Sequence, residues 1–580
     1  MKMINVIIND NLVKVPEGTT ILDAAKSVNV KIPTLCHLKL EDFGIVNKQA
    51  TCRVCMVEVE NRNTLVPSCS EICNDGMKIR TDSIRAISAR RTNVELLLSN
   101  HPNDCLVCQK NLDCELQSLA SHLNIREIHY EGEKMNYPKD DSSLALIKDP
   151  NKCVMCRRCE TMCNEVQTCG ILSAVDRGFD VVVSPAFHLD MVNTSCTFCG
   201  QCVAVCPTAA LTEVNNSNKV WHALNDPKKH VIVQVAPAVR VAIGEMFGMK
   251  PGEISTGKLV SSLRALEFDA VFDTDFAADL TIMEEATELI HRIQHGGRLP
   301  MLTSCCPAWV KFFEHQFPDL LDIPSTCKSP QIMFGAIAKT YYAQQTKRDS
   351  KDIVVVSVMP CLAKKAEAAR PELTKDSQSN VDIVITTREL GHMLLEAGID
   401  FANLKDNDFD QMMGESSGAS VIFGTTGGVI EAAVRTAYEW LTNKPLDKVD
   451  FKELRGFEGV RSATVSIGDM KLRIGIAHGL GNARKLLENI QNGISQFDAI
   501  EIMACPGGCI GGGGQPYHHG DISILKQRQM ALYQEDANKH IRKSHENPAI
   551  IKLYDEFLGK PNSNKAHDLL HTYYTAKERI

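Results

Sequence analysis

No stretch of this sequence reaches about 18 uninterrupted apolar residues, so a membrane-crossing helix is not expected. The N-terminus has no basic segment leading into a long apolar one, and Arg90-Arg91 lies too far inside to be a twin-arginine export signal. Positive charge is also short. Lys and Arg number 63 against 71 Asp and Glu, and the net charge of -8 argues against nucleic acid as a partner. No phosphate-loop motif occurs. Gly479-x-Gly481 follows an apolar run and opens a helical pattern, but Arg484 stands where a dinucleotide turn needs its third glycine. The bulk composition is ordinary for a globular protein, 44% hydrophobic and 23% charged, and 580 residues suit about four domains.

Cysteine is what the chain has in excess: 23 residues, nearly all in short-spaced groups. The clearest is Cys153-x2-Cys156-x2-Cys159-x3-Cys163, answered by Cys196-x2-Cys199-x2-Cys202-x3-Cys206-Pro207. A four-iron cubane needs thiolates converging on one small object, and a tight turn presents successive sulfurs at this spacing. The distant fourth cysteine of each run ligates the partner cluster, so two runs imply two neighbouring cubanes and an electron wire. A disulfide framework belongs to small secreted chains, and zinc sites rarely repeat an eight-cysteine arrangement. Reduced cysteines, no export signal and no span together favour the cytoplasm.

The chain divides at composition shifts. Residues 1–80 open with strands broken by Asn9, Asp10 and Asn11, then a helical pattern from Thr20 to Val28. Cys36 and Cys52-x2-Cys55-x13-Cys69 suit a two-iron cluster, with Cys73 as competitor for Cys69. The long gap from Cys36 to Cys52 departs from plant-type spacing and requires a different loop. In residues 81–135, a helical stretch at Ala86 to Ser99 precedes His101-x3-Cys105-x2-Cys108-x5-Cys114. One imidazole and three thiolates fit zinc or a cubane about equally. The setting between two cluster modules favours the cubane. Residues 140–215 hold the paired-cubane module, with Asn164 in place of the first run's proline and Cys169 left over as a structural thiol.

From about residue 225 to 535 continuous apolar runs alternate with helical patterns. The runs are Val231 to Val235, Ala270 to Phe272, Ile353 to Val358, Ile383 to Ile385, Leu472 to Ala477 and Ile500 to Ala504. Buried parallel strands between helices, such as Thr281 to Gln294 and Gly427 to Trp440, predict an α/β domain, in two lobes. Residues 536–580 read as polar helices broken at Lys560-Pro561 and wrapping that domain. Three cysteine-bearing loops each follow a strand pattern: Thr303-Ser304-Cys305-Cys306-Pro307, Met359-Pro360-Cys361-Leu362-Ala363-Lys364, and Ala504-Cys505-Pro506-Gly507-Gly508-Cys509. Sheets of this class place ligand crevices at such strand ends. The run Gly511 to Gly514 lets backbone approach a bulky cofactor. Glu285, Glu288 and Arg292 share one predicted helix face, and from spacing alone they read first as a solvated ion-pair face.

These loops resemble the signature motifs of the [FeFe]-hydrogenases, and the whole chain resembles that family's larger monomeric, ferredoxin-dependent members. The resemblance implies an α+β multi-domain fold. Its N-terminal modules would be ferredoxin-like: a β-grasp 2Fe-2S domain, a helical His/Cys3 4Fe-4S domain and a 2x4Fe-4S ferredoxin. A two-lobed catalytic α/β domain would follow, its active site between the lobes. Cys306, Cys361, Cys505 and Cys509 would hold the cubane of the H-cluster, with Cys509 bridging to a diiron subcluster bearing carbon monoxide, cyanide and an azadithiolate. Three accessory cubanes and one two-iron cluster are implied. Lys364 would pair with a cyanide, oriented by Glu367. Pro237, Ala238, Gln331, Met359, Phe423 and Met503 match pocket-lining positions, and Ala238 replaces a serine found in many relatives. Protons would pass through Cys305, Glu285, Ser325, Glu288 and Arg292, while Cys327 has no assigned role.

The implied reaction is reversible interconversion of protons and reduced ferredoxin with dihydrogen, with ferredoxin or flavodoxin as electron partner and maturases supplying the diiron unit. Similar modules also occur in catalytic subunits of NAD(P)-linked electron-bifurcating complexes, with which Ala238 is compatible. Dihydrogen sensors and cluster-assembly proteins share the scaffold but tend to lose the relay thiol or a loop. Here Cys305, Glu285 and all three loops are present.

Overall fold

A computed structural model describes residues 2–40, 45, 50–375, 378–446, 448–468 and 470–579. The unusual loop expected between Cys36 and Cys52 lies largely outside them. Strands Met3–Ile8 and Asn11–Pro16 form a hairpin whose turn residues Asn9 and Asp10 take φ of 46° and 69°. Asn and Asp tolerate that conformation best among side-chain-bearing residues, which is why the alternating pattern breaks there. The hairpin joins Lys78–Arg80, Met56–Val59 and Val66–Pro67 in a five-stranded sheet. Ile4, Val6 and Ile8 face its core, and helix Ile21–Ser27, capped by Thr20, packs there through Ile21, Ala24 and Ala25.

Helix Ile84–Asn100 leads from this sheet into the loops carrying His101 to Cys114. The paired-cubane module is held by two short antiparallel pairs, Leu146–Lys148 with Leu211–Glu213 and Ser173–Val175 with Val182–Ser184.

The catalytic region contains two four-stranded sheets. In the first, Ala270–Asp273, His230–Val235, Ile353–Met359 and Ile383–Thr386 lie side by side, all parallel. Every residue of His230–Val235 is buried, as a strand covered on both faces must be. Each fully buried Val or Ile contributes about 1.5–3 kcal/mol. The second sheet orders Met301–Leu302, Ala499–Met503, Met470–His478 and Val460–Ile467, and only its last pair is antiparallel. That edge strand alternates exposed and buried residues, a half-covered pattern. Between the sheets run helices Thr274–His295 and Gly428–Thr442, with an apolar cluster of Ala278, Ile282, Phe423, Val429 and Met503 against Cys305.

The expected boundary at 535/536 falls inside one helix, Ile522–Asn538, which starts at the cap Asp521. Its polar sequence hides a face that buries Leu525, Arg528 and Leu532. The wrap therefore begins near residue 521. The terminal segment then crosses the catalytic region, where Cys327 bridges His571 and Thr572 N donates to Thr326 O at 2.8 Å. Arg388 locks the paired-cubane module onto this frame: it donates to both oxygens of Glu213, at 2.9 and 2.7 Å, and to the carbonyls of Gly513 and Gln515. Burial alone would raise the Glu213 carboxyl, but Arg388 holds it down to about 2.

Among the described residues no helix is long and apolar enough to cross a membrane.

Candidate active site and its approaches

The three loops leave their sheets at strand C-terminal ends and meet between them. They enclose a small cavity lined by Cys305, Cys306, Cys361, Cys505 and Cys509, with Lys364 at its wall. Pro237, Gln331, Met359, Phe423 and Met503 also line it, as expected. Ala238 does not. It packs behind, with Ile510 and Leu532, and its carbonyl accepts from Gln515. Ala236, Thr274 and Ala278 line the cavity without having been singled out. Thr274 follows the strand end at Asp273, so the rule that located the cysteine loops also reaches it.

The run Gly511 to Gly514 has a different purpose from the one expected. A Cβ on Gly512 would lie 2.2 Å from Pro360 O, and one on Gly513 would lie 2.7 Å from the Gly200 backbone. These glycines chiefly let loops and modules touch each other, and only Gly512 also borders the cavity.

The donor set fits an iron–sulfur group. Burial pushes the thiols of Cys306 and Cys361 up, Cys361 to about 12, and raises Cys505 and Cys509 further. Cys361 and Cys306 are charge neighbours of both Cys505 and Cys509. Four such sulfurs can be thiolates together only with metal cations among them. The buried Oε1 of Gln331 has no protein partner. Lys364 Nζ donates to Glu367 Oε2 at 2.9 Å and to Cys305 O at 3.1 Å, and Gln331 Nε2 donates to the same Glu367 oxygen at 3.1 Å. Thus Glu367 fixes a buried ammonium at the wall of the cavity.

On the other side of Cys305 runs a file of exchangeable groups. Glu285 is fully buried, and burial followed by the nearby Glu288 charge pushes its carboxyl up to about 7. Ser325 and Ser304 both hydrogen-bond Glu285. Ser325 Oγ also donates to Glu288 Oε2 at 3.1 Å, so one hydroxyl touches both glutamates. Arg292 binds Glu288 Oε1 at 2.5 Å and the carbonyls of Ile323 and Pro324 at 2.8 and 2.9 Å. The Glu285, Glu288 and Arg292 face is therefore largely packed, against the reading of a solvated ion-pair face. Thr326 and Tyr574 were not anticipated. Thr326 donates to Glu288, and Tyr574 OH donates to Ser325 O at 2.5 Å. Both contacts join residues remote in sequence, which no local spacing reveals.

The remaining cysteines lie in several separate places. Hydrogen bonds link the thiol of Cys36 to Cys52 and Cys69, and that of Cys69 to Cys55. Cys73 is apart, with only Asp23 and Glu71 as charged neighbours. His101 is buried with Nε2 unpartnered, and Asn103 N donates to its Nδ1 at 3.3 Å. The charge of Cys108 acts on both Cys114 and Lys152. Cys105 shares a one-turn helix with Val107 beside Cys108. Cys153, Cys156, Cys159 and Cys206 line one small cavity, and Cys163, Cys196, Cys199 and Cys202 line another. Cys169 is in the second as a fifth sulfur, 3.8 Å from Thr197 Oγ1.

The second cavity is the one nearer the catalytic cysteines. Cys199 contributes to the charge around Cys505, and Gln201 Nε2 donates to Gly511 O at 2.9 Å. The first cavity faces outward: Cys156 packs with Cys36 and Cys52, and Lys110 reaches from the His101 module to Cys206 O. The glycine turn at Gly479 is filled by the same module. Gln167 Oε1 accepts from Leu480 N at 2.9 Å, and a Cβ on Gly481 would lie 2.8 Å from Val166 O.

Family comparisons cover these regions in order. The 2Fe-2S iron-sulfur cluster binding domain matches residues 1–83, and the NADH-ubiquinone oxidoreductase-G iron-sulfur binding region matches 90–129. The 4Fe-4S binding domain matches 192–212, the C-terminal domain of the iron only hydrogenase large subunit matches 229–513, and the iron hydrogenase small subunit matches 522–577. The chain is 59% identical over 586 aligned positions to the NADP-reducing hydrogenase subunit HndD of Solidesulfovibrio fructosivorans, covering 100% of both. It is 40% identical over 578 positions to Iron hydrogenase 1 of Clostridium pasteurianum, covering 99% of this chain and 100% of that one. A solved apo structure of the [FeFe]-hydrogenase HydA1 from Chlamydomonas reinhardtii matches with a TM-score of 0.57 at 44% identity, covering 63% of this chain and 100% of that chain.

Proposed function

The chain belongs to the iron-only hydrogenases, and on that premise we propose that it interconverts dihydrogen with two protons and two electrons as the catalytic subunit of an NADP-linked assembly. The carrying observation is the convergence of Cys306, Cys361, Cys505 and Cys509 on one largely apolar cavity beside Cys305. Cys306, Cys361, Cys505 and Cys509 would hold the family's iron–sulfur and diiron group there, and when bound it would supply the redox chemistry and a basic amine.

The protein's part is to hold, orient and move protons. Lys364, fixed by Glu367, offers a cation to an anionic ligand at the cavity wall. Cys305 exchanges a proton with the reacting site, and Glu285 accepts or returns it. A carboxyl near pH 7 is matched to traffic in both directions. The Ser325 hydroxyl carries the proton between Glu285 and Glu288, and Arg292 anchors Glu288 on the outer side. Apolar walls at Met359, Phe423 and Met503 exclude water from the reacting site.

Electrons would travel from the two-iron site of Cys36, Cys52, Cys55 and Cys69, or from the His101, Cys105, Cys108 and Cys114 cubane. Both routes would join at the Cys153/Cys156/Cys159/Cys206 cubane and continue through the Cys163/Cys196/Cys199/Cys202 cubane to the active site. The relative HndD is named as a subunit of an NADP-reducing hydrogenase. The one glycine turn singled out in the sequence is filled by Gln167 and Val166, so the pyridine nucleotide is assigned to a partner chain.

A free ferredoxin as electron partner is the second reading, the one implied by the resemblance to the family's larger monomeric members. Purification from the native cell under anaerobic conditions separates the two. The first reading expects co-purifying chains and dihydrogen-driven NADP reduction that the isolated chain lacks. A lone chain that evolves dihydrogen from reduced ferredoxin, with no NADP activity in any fraction, would replace it with the second.

A further inference from the structure

The two cubane cavities differ in charge. The first is lined by Lys148 and Arg157 together with its four cysteines. Arg157 is neutralised by both oxygens of Glu160, at 2.5 and 2.7 Å. Lys148 is not neutralised in this way. It is buried, its Nζ donates to Ser184 Oγ at 3.0 Å, and no described carboxylate forms an ion pair with it. The nearby Asp140 is engaged by Ser142 and Met191.

A second lysine approaches the same cluster site from another module. Lys110 is only 3% exposed, its Nζ donates to Cys206 O at 2.5 Å, and it lies 3.8 Å from the centre of the Tyr517 ring. Its nearest acidic neighbour in sequence beyond the turn, Glu115, is taken by Arg158 at 2.6 and 3.0 Å. A buried ammonium without a carboxylate is costly unless some other anion faces it. At both lysines the cluster site is among the anions that remain: Asp140, Asp190 and then Cys153 act on Lys148, and Cys206, Glu115 and Cys114 act on Lys110.

The second cavity has no charged residue in its lining. Two cations lie behind that lining: Lys311, half-buried with Nζ over the Phe198 ring at 3.7 Å, and Arg484, which donates to Thr168 beside Cys169 at 3.0 and 3.1 Å. Cationic surroundings favour the more negative, reduced form of a cluster and so raise its potential.

We propose that Lys110 and Lys148 set the potential of the Cys153/Cys156/Cys159/Cys206 cubane above that of its Cys163/Cys196/Cys199/Cys202 neighbour, so that electrons from both entry routes are held at the junction before passing inward. This rests on the cluster relay proposed above. Lys110 is also placed to couple the junction to one entry branch, since it extends from the loop that carries Cys108 and Cys114. Both lysines are positioning residues, acting through the cluster and touching no substrate.

The test is a stepwise redox titration of the full-length protein, reconstituted with iron and sulfide and followed by electron paramagnetic resonance. Cys156→Ala identifies the junction signal by its loss. The expected result is that this signal appears before the other paired cubane on reduction. Lys148→Met and Lys110→Met should each move it to more negative potential, the pair together more than either. Lys148→Arg should restore most of the shift, and Lys311→Met should move only the inner cubane. Unshifted potentials in properly loaded Lys→Met variants, or earlier reduction of the inner cubane, would overturn the charge assignment while leaving the relay intact. Iron and sulfide too low for the paired cubanes in the unsubstituted protein would overturn the relay and this inference with it.

Discussion

The relay modules and the catalytic pocket solve the same problem, gathering sulfurs around iron, by opposite means. The cysteines proposed for the relay lie mostly in short runs: His101, Cys105, Cys108 and Cys114 follow one another closely, and each proposed cubane of the pair would take three cysteines from a single run. The cysteines proposed for the catalytic group come from three loops between Cys306 and Cys509, and two largely parallel sheets bring them together. The local design makes cluster binding and folding nearly one event. The remote design makes the pocket a property of the sheets, so its shape belongs to the domain and its chemistry can be altered without dispersing the ligands.

The strongest test of that contrast alters chemistry alone. Glu285→Gln should lower turnover by about 10²- to 10⁴-fold, with iron content and cluster spectra unchanged. The pH dependence follows from the raised carboxyl. Glu285 is neutral below about 7 and ionised above, so proton delivery for dihydrogen production falls as pH rises through that value. The unfolded chain ionises near the ordinary 4.5, so burying Glu285 costs stability progressively from about 4.5 to 7 and constantly above. Glu285→Gln should therefore raise the melting temperature more at pH 8 than at pH 4.5. An equal change at both would refute the buried neutral carboxyl.

Arg388→Met attacks the joint between the two designs. It strands the buried Glu213 carboxylate and should cost about 3–5 kcal/mol. The expected sequence on mild denaturation is loss of the catalytic pocket before loss of the N-terminal cluster absorbance. Simultaneous loss would show that the modules do not keep their sites independently. Gln167→Ala is the gentlest probe. It leaves Leu480 N and Ala504 O without their buried partner, a cost of about 1–3 kcal/mol. Denaturant titration should show that loss with cluster content retained.

How far sequence reaches follows the same division. The cysteine runs were legible because spacing alone defines a local cluster site, and Asn9-Asp10 marked its hairpin because few other residues accept positive φ. The strands at Val231 and Ile353 were legible because burial on both faces leaves uninterrupted apolar runs. Less was visible where contacts are remote. Thr326 reaches Glu288 from 38 positions away, and Tyr574 joins the Glu285–Glu288 file only because the terminal segment passes beside Cys327. Cys169 looked like a spare thiol because its spacing fits no motif, although the fold delivers it to the second cubane cavity. Helix Ile522–Asn538 was cut in two because buried Arg528 and Asp536 disguise its packed face as a polar one. The roles carried over to Lys364 and Glu367 came from family resemblance, and the Lys364–Glu367 contact of 2.9 Å supports their pairing.

The central claim is that four remote thiolates grip the reactive iron group while a neighbouring fifth thiol moves protons. Infrared spectra of anaerobically matured wild-type and Cys305→Ala proteins, recorded alongside dihydrogen evolution, address it directly. The account predicts carbonyl and cyanide bands in both samples, with turnover nearly abolished in Cys305→Ala. Absence of those bands from fully matured wild type, or a Cys305→Ala protein that keeps most of its activity, would contradict it.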